Sequence, residues 1–195
     1  KLGKLPLNVI FFDEEVITPP THDYCTRVAS RANINFKWFC LEMKQRNACS
    51  YNEPYWWSWD RYKQSVWTRP MPAGAIRQVA GYDARNGDTS TGVADASDAY
   101  LDNIQLGKVC ILTGIRTDES LRRYRIVSQM QNDNYINSRP RGTNKNIYSA
   151  HPLYDWRSTD VWLAVKKNNW DYNATYNVFN LTNELGGKYL HQRVC

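Results

Sequence analysis

The sequence predicts an α/β fold: an open, mostly parallel sheet with helices on both faces, interrupted by an irregular aromatic-rich insertion. Three observations lead there. Two short apolar runs, "LNVIFF" at 7–12 and "KVCIL" at 108–112, lack polar alternation, as strands covered on both faces do. Each is followed by a segment with helical spacing and helix-start chemistry. Strands alternating with helices favour a parallel open sheet, and a chain of 195 residues is long enough for one such domain.

The elements follow in order. After the strand at 7–12 comes Thr18 as an N-cap with Pro19 in the first turn, then Tyr24 and Val28 at helical spacing. "INFKWFCLE" at 34–42 reads as a second strand. Residues 45–72, "QRNACSYNEPYWWSWDRYKQSVWTRPMP", read as irregular and carry four of the eight tryptophans. Residues 80–103 are small and polar and read as a long exposed loop with a short helix near its end. The strand at 108–112 leads into a helix expected to begin near Arg116. "KNIYSAHPLYDW" reads as a strand and a turn around Pro152. "RSTDVWLAVKKNN" reads as a helix with Ser158 as N-cap and Val161, Trp162 and Val165 along one face.

Composition narrows the functional classes. The net charge of +6 and a pI near 9.1 favour anionic or phosphorylated partners. Much of this charge lies between Arg116 and Lys145, a basic strip suited to a nucleotide or nucleic acid, or simply to a solvated face. No apolar run reaches bilayer-spanning length, so no membrane partner is expected. The five cysteines are scattered without CxxC spacing, which argues against zinc or a disulfide framework and for a reducing cytoplasm. Cys25, Cys40 and Cys110 are expected to be buried thiols. His22, His151 and His191 have no metal-ligand spacing.

In open α/β sheets, ligands sit beyond the carboxyl ends of the strands. Two strand ends carry the chemistry here. After the first stand Asp13, Glu14 and Glu15; after "KVCILT" stand Gly114, Arg116, Thr117, Asp118, Glu119 and Ser120. A helix starting near Arg116 would put Arg116, Ser120 and Arg123 on one face, above an N-terminus suited to phosphate. Arginine adds a planar fork for phosphate or sulfate oxygens. The bland alternative is a Glu119–Arg123 surface pair, with Arg116 bound to Asp13. Asp13 fits a ribose hydroxyl, a Mg²⁺-bound water or a helix cap. Among the aromatics, Trp56, Trp57, Trp59 and Trp67 suit either base stacking or a packed subdomain. Arg69 and Arg46 are the expected substrate contacts.

These residues carry a resemblance. "GIRTDESLRRYR" and "HPLYDWRSTDVWLAVKKNNWDYNATYNVF" resemble signatures of the phosphoadenosine phosphosulfate (PAPS) reductase family. "NVIFFDEE" is similar to that family's second strand. "SVWTRPMP" and "RNACSYNEPYWWSWD" resemble a bacterial and phage branch that includes the immunoglobulin-binding regulator A proteins. The resemblance implies an adenine nucleotide α-hydrolase-like fold with ATP, adenylyl sulfate or PAPS as substrate, and Mg²⁺. It implies that Arg116 and Arg123 bind phosphate or sulfate and that Asp13 lies beside the nucleotide. It implies no iron–sulfur cluster or zinc in this segment.

Two family features have no match here. The Ser-Gly-Gly-Lys-Asp-Ser-type phosphate loop does not precede "NVIFF" and is expected to lie upstream of Lys1. The Glu-Cys-Gly-Leu-His segment that carries the reductase nucleophile is also missing, and some C-terminal sequence is expected beyond Cys195. Residues 1–195 are therefore read as one nucleotide-binding domain. The leading function is ATP α–β cleavage that adenylates an unknown acceptor. The alternatives are thiol-dependent sulfonucleotide reduction and a non-catalytic nucleotide or nucleic-acid regulatory module. Oligomeric state and pathway are left open.

Overall fold

The computed structural model describes residues 6–86, 92–104, 107–128, 136–138 and 146–178. The chain is of mixed α/β type and divides into two compact units, residues 1–97 with 172–195, and residues 98–171.

In the first unit, β1 (Leu7–Phe12) leads through α1 (Pro19–Ala29) to β2 (Ile34–Phe39), which pairs with β1 in parallel. The register sets Phe11 beside Trp38 and Phe12 beside Phe39. Rings then pack on both sides of the pair: Phe11 meets Trp38 edge-on at 5.4 Å, and Phe12 stacks on Phe39 at 4.9 Å. Thr18 caps α1 with Pro19 in its first turn, as expected, but the Thr18 hydroxyl reaches Thr175 at 2.7 Å instead of a backbone N–H. The strands are less covered than the apolar runs suggested, since Leu7 and Ile10 are exposed.

The aromatic stretch is more regular than its composition implied. β3 (Met43–Arg46) and β4 (Tyr55–Ser58) form an antiparallel hairpin. Met43 and Ser58, opposite each other, are buried, whereas Lys44, Arg46 and Tyr55 face solvent. That half-buried alternation is strand chemistry, hidden in the sequence by tryptophans on both faces. An isolated parallel bridge sets Ile76 beside Phe39. The unit's core is centred on Phe39, Cys40, Leu41, Met43 and Trp59. α2 (Val93–Asn103) runs for three turns, longer than the short helix expected.

In the second unit, β5 (Val109–Leu112) pairs in parallel with β7 (Ile147–Ala150), which also pairs with antiparallel β6 (Ile136–Ser138). α3 (Leu121–Ser128) follows β5, and α4 (Ser158–Asn168) follows β7. β5 is not a buried strand: Leu112 is exposed, and so is Cys110, against expectation, because one face of this short strand is open. The described strands thus pair as three small sheets. Most of the basic strip from 129 to 145 lies outside the described residues.

Candidate functional site

At the carboxyl end of β1 the chain continues the ladder for one residue, with the Asp13 N–H donating to the Phe39 carbonyl at 2.8 Å, and then turns. Glu15 makes that turn in the left-handed region (φ 69°), as does Trp59 (φ 53°). Each such residue costs about 1–2 kcal/mol. They are held by one another: the Trp59 N–H donates to Glu15 Oε2 at 2.6 Å, and the Trp59 indole donates to the Asp13 carbonyl at 2.6 Å. Thr68 adds its N–H to Glu15 Oε1 and its hydroxyl to the Glu15 carbonyl, each at 3.1 Å. Strain sustained by such a bonded frame is characteristic of functional sites.

Asp13 lies at the centre of this frame and is wholly buried. Its oxygens accept from the Glu15 N–H at 2.9 Å, the Trp38 indole at 2.8 Å, and Arg69 Nη2 at 2.5 and 2.7 Å. The partner of Asp13 is therefore Arg69, not Arg116. A single guanidinium nitrogen makes both bonds. Arg69 Nε and Nη1 are buried with no hydrogen-bond partner among the described residues, and the guanidinium sits 5.0 Å from the Trp59 ring. Glu14 is exposed, and Arg46 stands on the solvent face of the hairpin.

Beside this frame, Cys25 and Cys40 are poor nucleophiles. Burial, reinforced by the Asp13 charge, pushes the Cys25 thiol up to about 11 and the Cys40 thiol to about 12. Beyond the end of β2 opens a cavity of about 590 Å³, lined by Leu41, Glu42, Trp67 and Arg77 among others. A second recess of about 460 Å³ shares Trp67 and Arg77 and adds Arg69. Burial alone would raise the Glu42 carboxyl. Hydrogen bonds from Arg85 and Arg61 outweigh it and hold Glu42 below its usual range.

The second unit contains the arginine-bearing turn. Arg116 is extended (φ −123°), residues Thr117–Glu119 form one 3₁₀ turn, Ser120 is extended, and α3 starts only at Leu121. The expected helical face joining Arg116, Ser120 and Arg123 is therefore corrected. Ser120 is instead the cap: its hydroxyl accepts the Arg123 N–H at 3.2 Å and its carbonyl the Tyr124 N–H at 2.8 Å. Glu119 gathers the cations. It accepts from Arg116 Nη2 at 3.1 Å and is also ion-paired with Arg123. Arg116 reaches Ser158 Oγ at 3.3–3.4 Å, so Ser158 serves the turn as well as opening α4.

Thr117 gives both its N–H and its hydroxyl to the Tyr154 carbonyl, at 2.8 and 2.9 Å, tying the turn to the segment around Pro152. Gly114 is not in the left-handed region, and a Cβ there would meet open space. Nothing in the described protein therefore demands glycine at 114. Thr113 Oγ1 lies 2.5 Å from Nδ1 of the buried His151, whose pKa burial lowers, so the ring is neutral.

Asp13, Glu14, Arg46 and Arg69 thus belong to the first unit, and Gly114, Arg116, Thr117, Ser120 and Arg123 to the second. Sequence reasoning named Glu15 at the strand end and Trp59 among the aromatics without assigning either to this frame, and it missed Trp38 and Thr68.

Comparison with known proteins adds to this geometry. The phosphoadenosine phosphosulfate reductase domain model matches residues 3–178. An uncharacterized protein of Escherichia coli (strain K12), YbdN, is 24% identical over 164 residues, covering 82% of this chain and 39% of YbdN. The chain thus spans about two-fifths of that relative's length. No solved structure matches significantly.

Proposed function

The chain belongs to the phosphoadenosine phosphosulfate reductase domain family, and from that premise we propose that it binds ATP and cleaves it between the α- and β-phosphates, adenylating an acceptor. Placement in the bacterial and phage branch, and in the cytoplasm, belongs to the same reading. What the family supports by itself is coarser: a function tied to sulfonucleotides or adenine nucleotides.

The observation that carries the proposal is the Arg116–Glu119–Arg123 cluster at the carboxyl end of β5. One carboxylate holds two guanidiniums at the opening of α3, so the pair carries a net positive charge and is already positioned. Preorganised donors of this kind act on charge that develops as a phosphate departs. In the step proposed, an acceptor oxygen attacks the α-phosphorus, the bond from that phosphorus to the bridging oxygen breaks, and pyrophosphate leaves with the electron pair. Arg116 and Arg123 bind the phosphates, with the open space at Gly114 and the first turn of α3 beside them. In the first unit, Asp13 holds Arg69 in place.

Two observations bear on the chemistry. At neutral pH a thiol at about 11 or 12 is ionised in about one molecule in ten thousand or fewer, so Cys25 and Cys40 do not suit thiolate attack. The described residues contain no group of three or more His, Cys, Asp or Glu that could hold a metal ion, and the Asp13 oxygens already face Arg69 and Trp38. Mg²⁺ arriving on nucleotide phosphates needs only one or two carboxylates, and no step is assigned to it. Among the described residues no helix is long and apolar enough to cross a membrane.

The test is pyrophosphate release from ATP by the full-length protein. Arg116→Ala is expected to lower it about 100-fold or more. Sulfite release from PAPS with thioredoxin, without pyrophosphate release from ATP, would replace this reading with the reductase one.

A further inference from the structure

The aromatic side chains of residues 51–67 face two ways. Trp59 is buried and Trp67 meets it edge-on at 5.3 Å, so this pair packs inward. Tyr51, Tyr55 and Tyr62 are 99%, 55% and 75% exposed. In the β3–β4 hairpin Lys44 stands opposite Trp57 and Arg46 opposite Tyr55, which puts all four on one face. Lys44 Nζ lies 4.4 Å from the centre of the Tyr55 ring. The Arg85 guanidinium lies 4.5 Å from the Trp57 ring and 4.9 Å from the Tyr62 ring. Rings and cations therefore alternate across this face, from Lys44 and Tyr55 through Trp57 and Arg85 to Tyr62.

Not every cation here is available to a partner. Arg85 is paired with Glu42 and Asp60, and Arg61 with Glu42 and Asp83, so these two arginines add no net charge. Lys44, Arg46 and Lys63 are different. They are exposed and have no ion pair among the described residues, and Glu53 is the only exposed acid between Met43 and Val66. The outward rings thus stand among positive charges that the described protein does not neutralise. Tyr55 and Trp57 lie two residues apart on β4, about 6.5 Å along the strand, which leaves room for one splayed-out base at each position.

We propose that this face of the hairpin is a binding surface for single-stranded nucleic acid. Bases stack on Tyr55, on Tyr62 and on the Arg85 guanidinium, which Glu42 and Asp60 hold in place. Lys44, Arg46 and Lys63 meet the phosphates. Every base has a π face, so the surface tolerates different sequences. An acidic protein would use the cations and leave the rings idle, and a duplex keeps its base faces covered. The surface lies wholly within the first unit and does not depend on the adenylation reading.

The experiment is fluorescence-anisotropy titration of labelled oligo(dT) with the full-length protein, without ATP, over a range of salt concentrations. Three phosphate contacts predict a slope of log affinity against log salt of about −2. Tyr55→Ala and Tyr62→Ala should each weaken binding about five-fold or more and leave that slope unchanged. Tyr55→Phe should bind as the wild type does. Arg46→Ala should instead make the slope shallower by about 0.7. The substituted side chains are exposed, so these variants should fold, and their urea midpoints check it. A duplex of the same length and polyglutamate should both bind at least five-fold more weakly than oligo(dT). Equal binding of either would reduce the surface to charge alone and overturn the assignment. Unchanged affinity in both tyrosine-to-alanine variants, or no oligo(dT) binding at micromolar protein in low salt, would overturn it too. Displacement of oligo(dT) by ATP would do the same, by giving the rings to the nucleotide. None of these readouts requires pyrophosphate release, so failure here and failure of the adenylation reading are told apart.

Discussion

Asp13 is the residue on which the first strand end depends. It is fully buried, and Arg69 answers its charge from a side chain that is 19% exposed. Removing one member of such a pair leaves an uncompensated group, at a cost of about 3–5 kcal/mol. Asp13→Ala is therefore expected to lower stability by about 3 kcal/mol or more, measured as a shift in the urea midpoint at unchanged slope. The thiols provide a second test at this scale. With DTNB at pH 8, Cys49 and Cys110 should react in the folded protein, whereas Cys25 and Cys40 should react only after unfolding. Fast labelling of Cys40 in the native state would contradict the buried Asp13–Cys40 arrangement.

The local elements were legible where side-chain chemistry sets a boundary. Pro19 after Thr18 marked the start of α1, and "RSTD" marked α4, though the cap is Arg157 and not the expected Ser158; Asp160 Oδ2 accepts the Arg157 N–H at 2.8 Å. The end of α4 offers a clean test. Asn169 closes it in the left-handed region (φ 51°), so Asn169→Ala should cost about 1 kcal/mol and Asn169→Gly should cost little, by chemical denaturation. Legibility failed where an element is set by distant partners. The start of α3 was misplaced because Thr117 is bound to the Tyr154 carbonyl, 37 residues away, which holds Arg116 extended ahead of the helix. The β3–β4 hairpin was missed because tryptophans stand on both its faces. The frame around Glu15 joins positions 44 and 53 residues apart, and no sequence window contains such a pairing.

At the scale of the whole molecule, buried titratable groups set a pH window. His151 is neutral and its folded pKa lies below the usual 6.5, so the unfolded chain binds more protons as the pH falls. Stability should drop from pH 6.5 towards 5, before the Glu42 carboxylate matters below its usual 4.5. Cys25 and Cys40 act on the alkaline side. Their folded values of about 11 and 12 exceed the usual 9.0, so the unfolded chain releases protons first and stability falls above pH 9. Urea midpoints from pH 5 to 10.5 should therefore show a plateau between about 6.5 and 9. The mixed α/β class and the family were readable from the strand ends and the turn at 114–123, but the open sheet with helices on both faces was not, since the described strands pair as three small sheets. The central claim is that the Arg116 turn holds an adenine nucleotide, and it is tested most directly by calorimetric titration of the full-length protein and its Arg116→Ala variant with ATP and GTP. The account predicts that ATP binds in preference to GTP and that the variant loses at least ten-fold in ATP affinity; unchanged ATP affinity in the variant, or no adenine-nucleotide binding by the wild type, would contradict it.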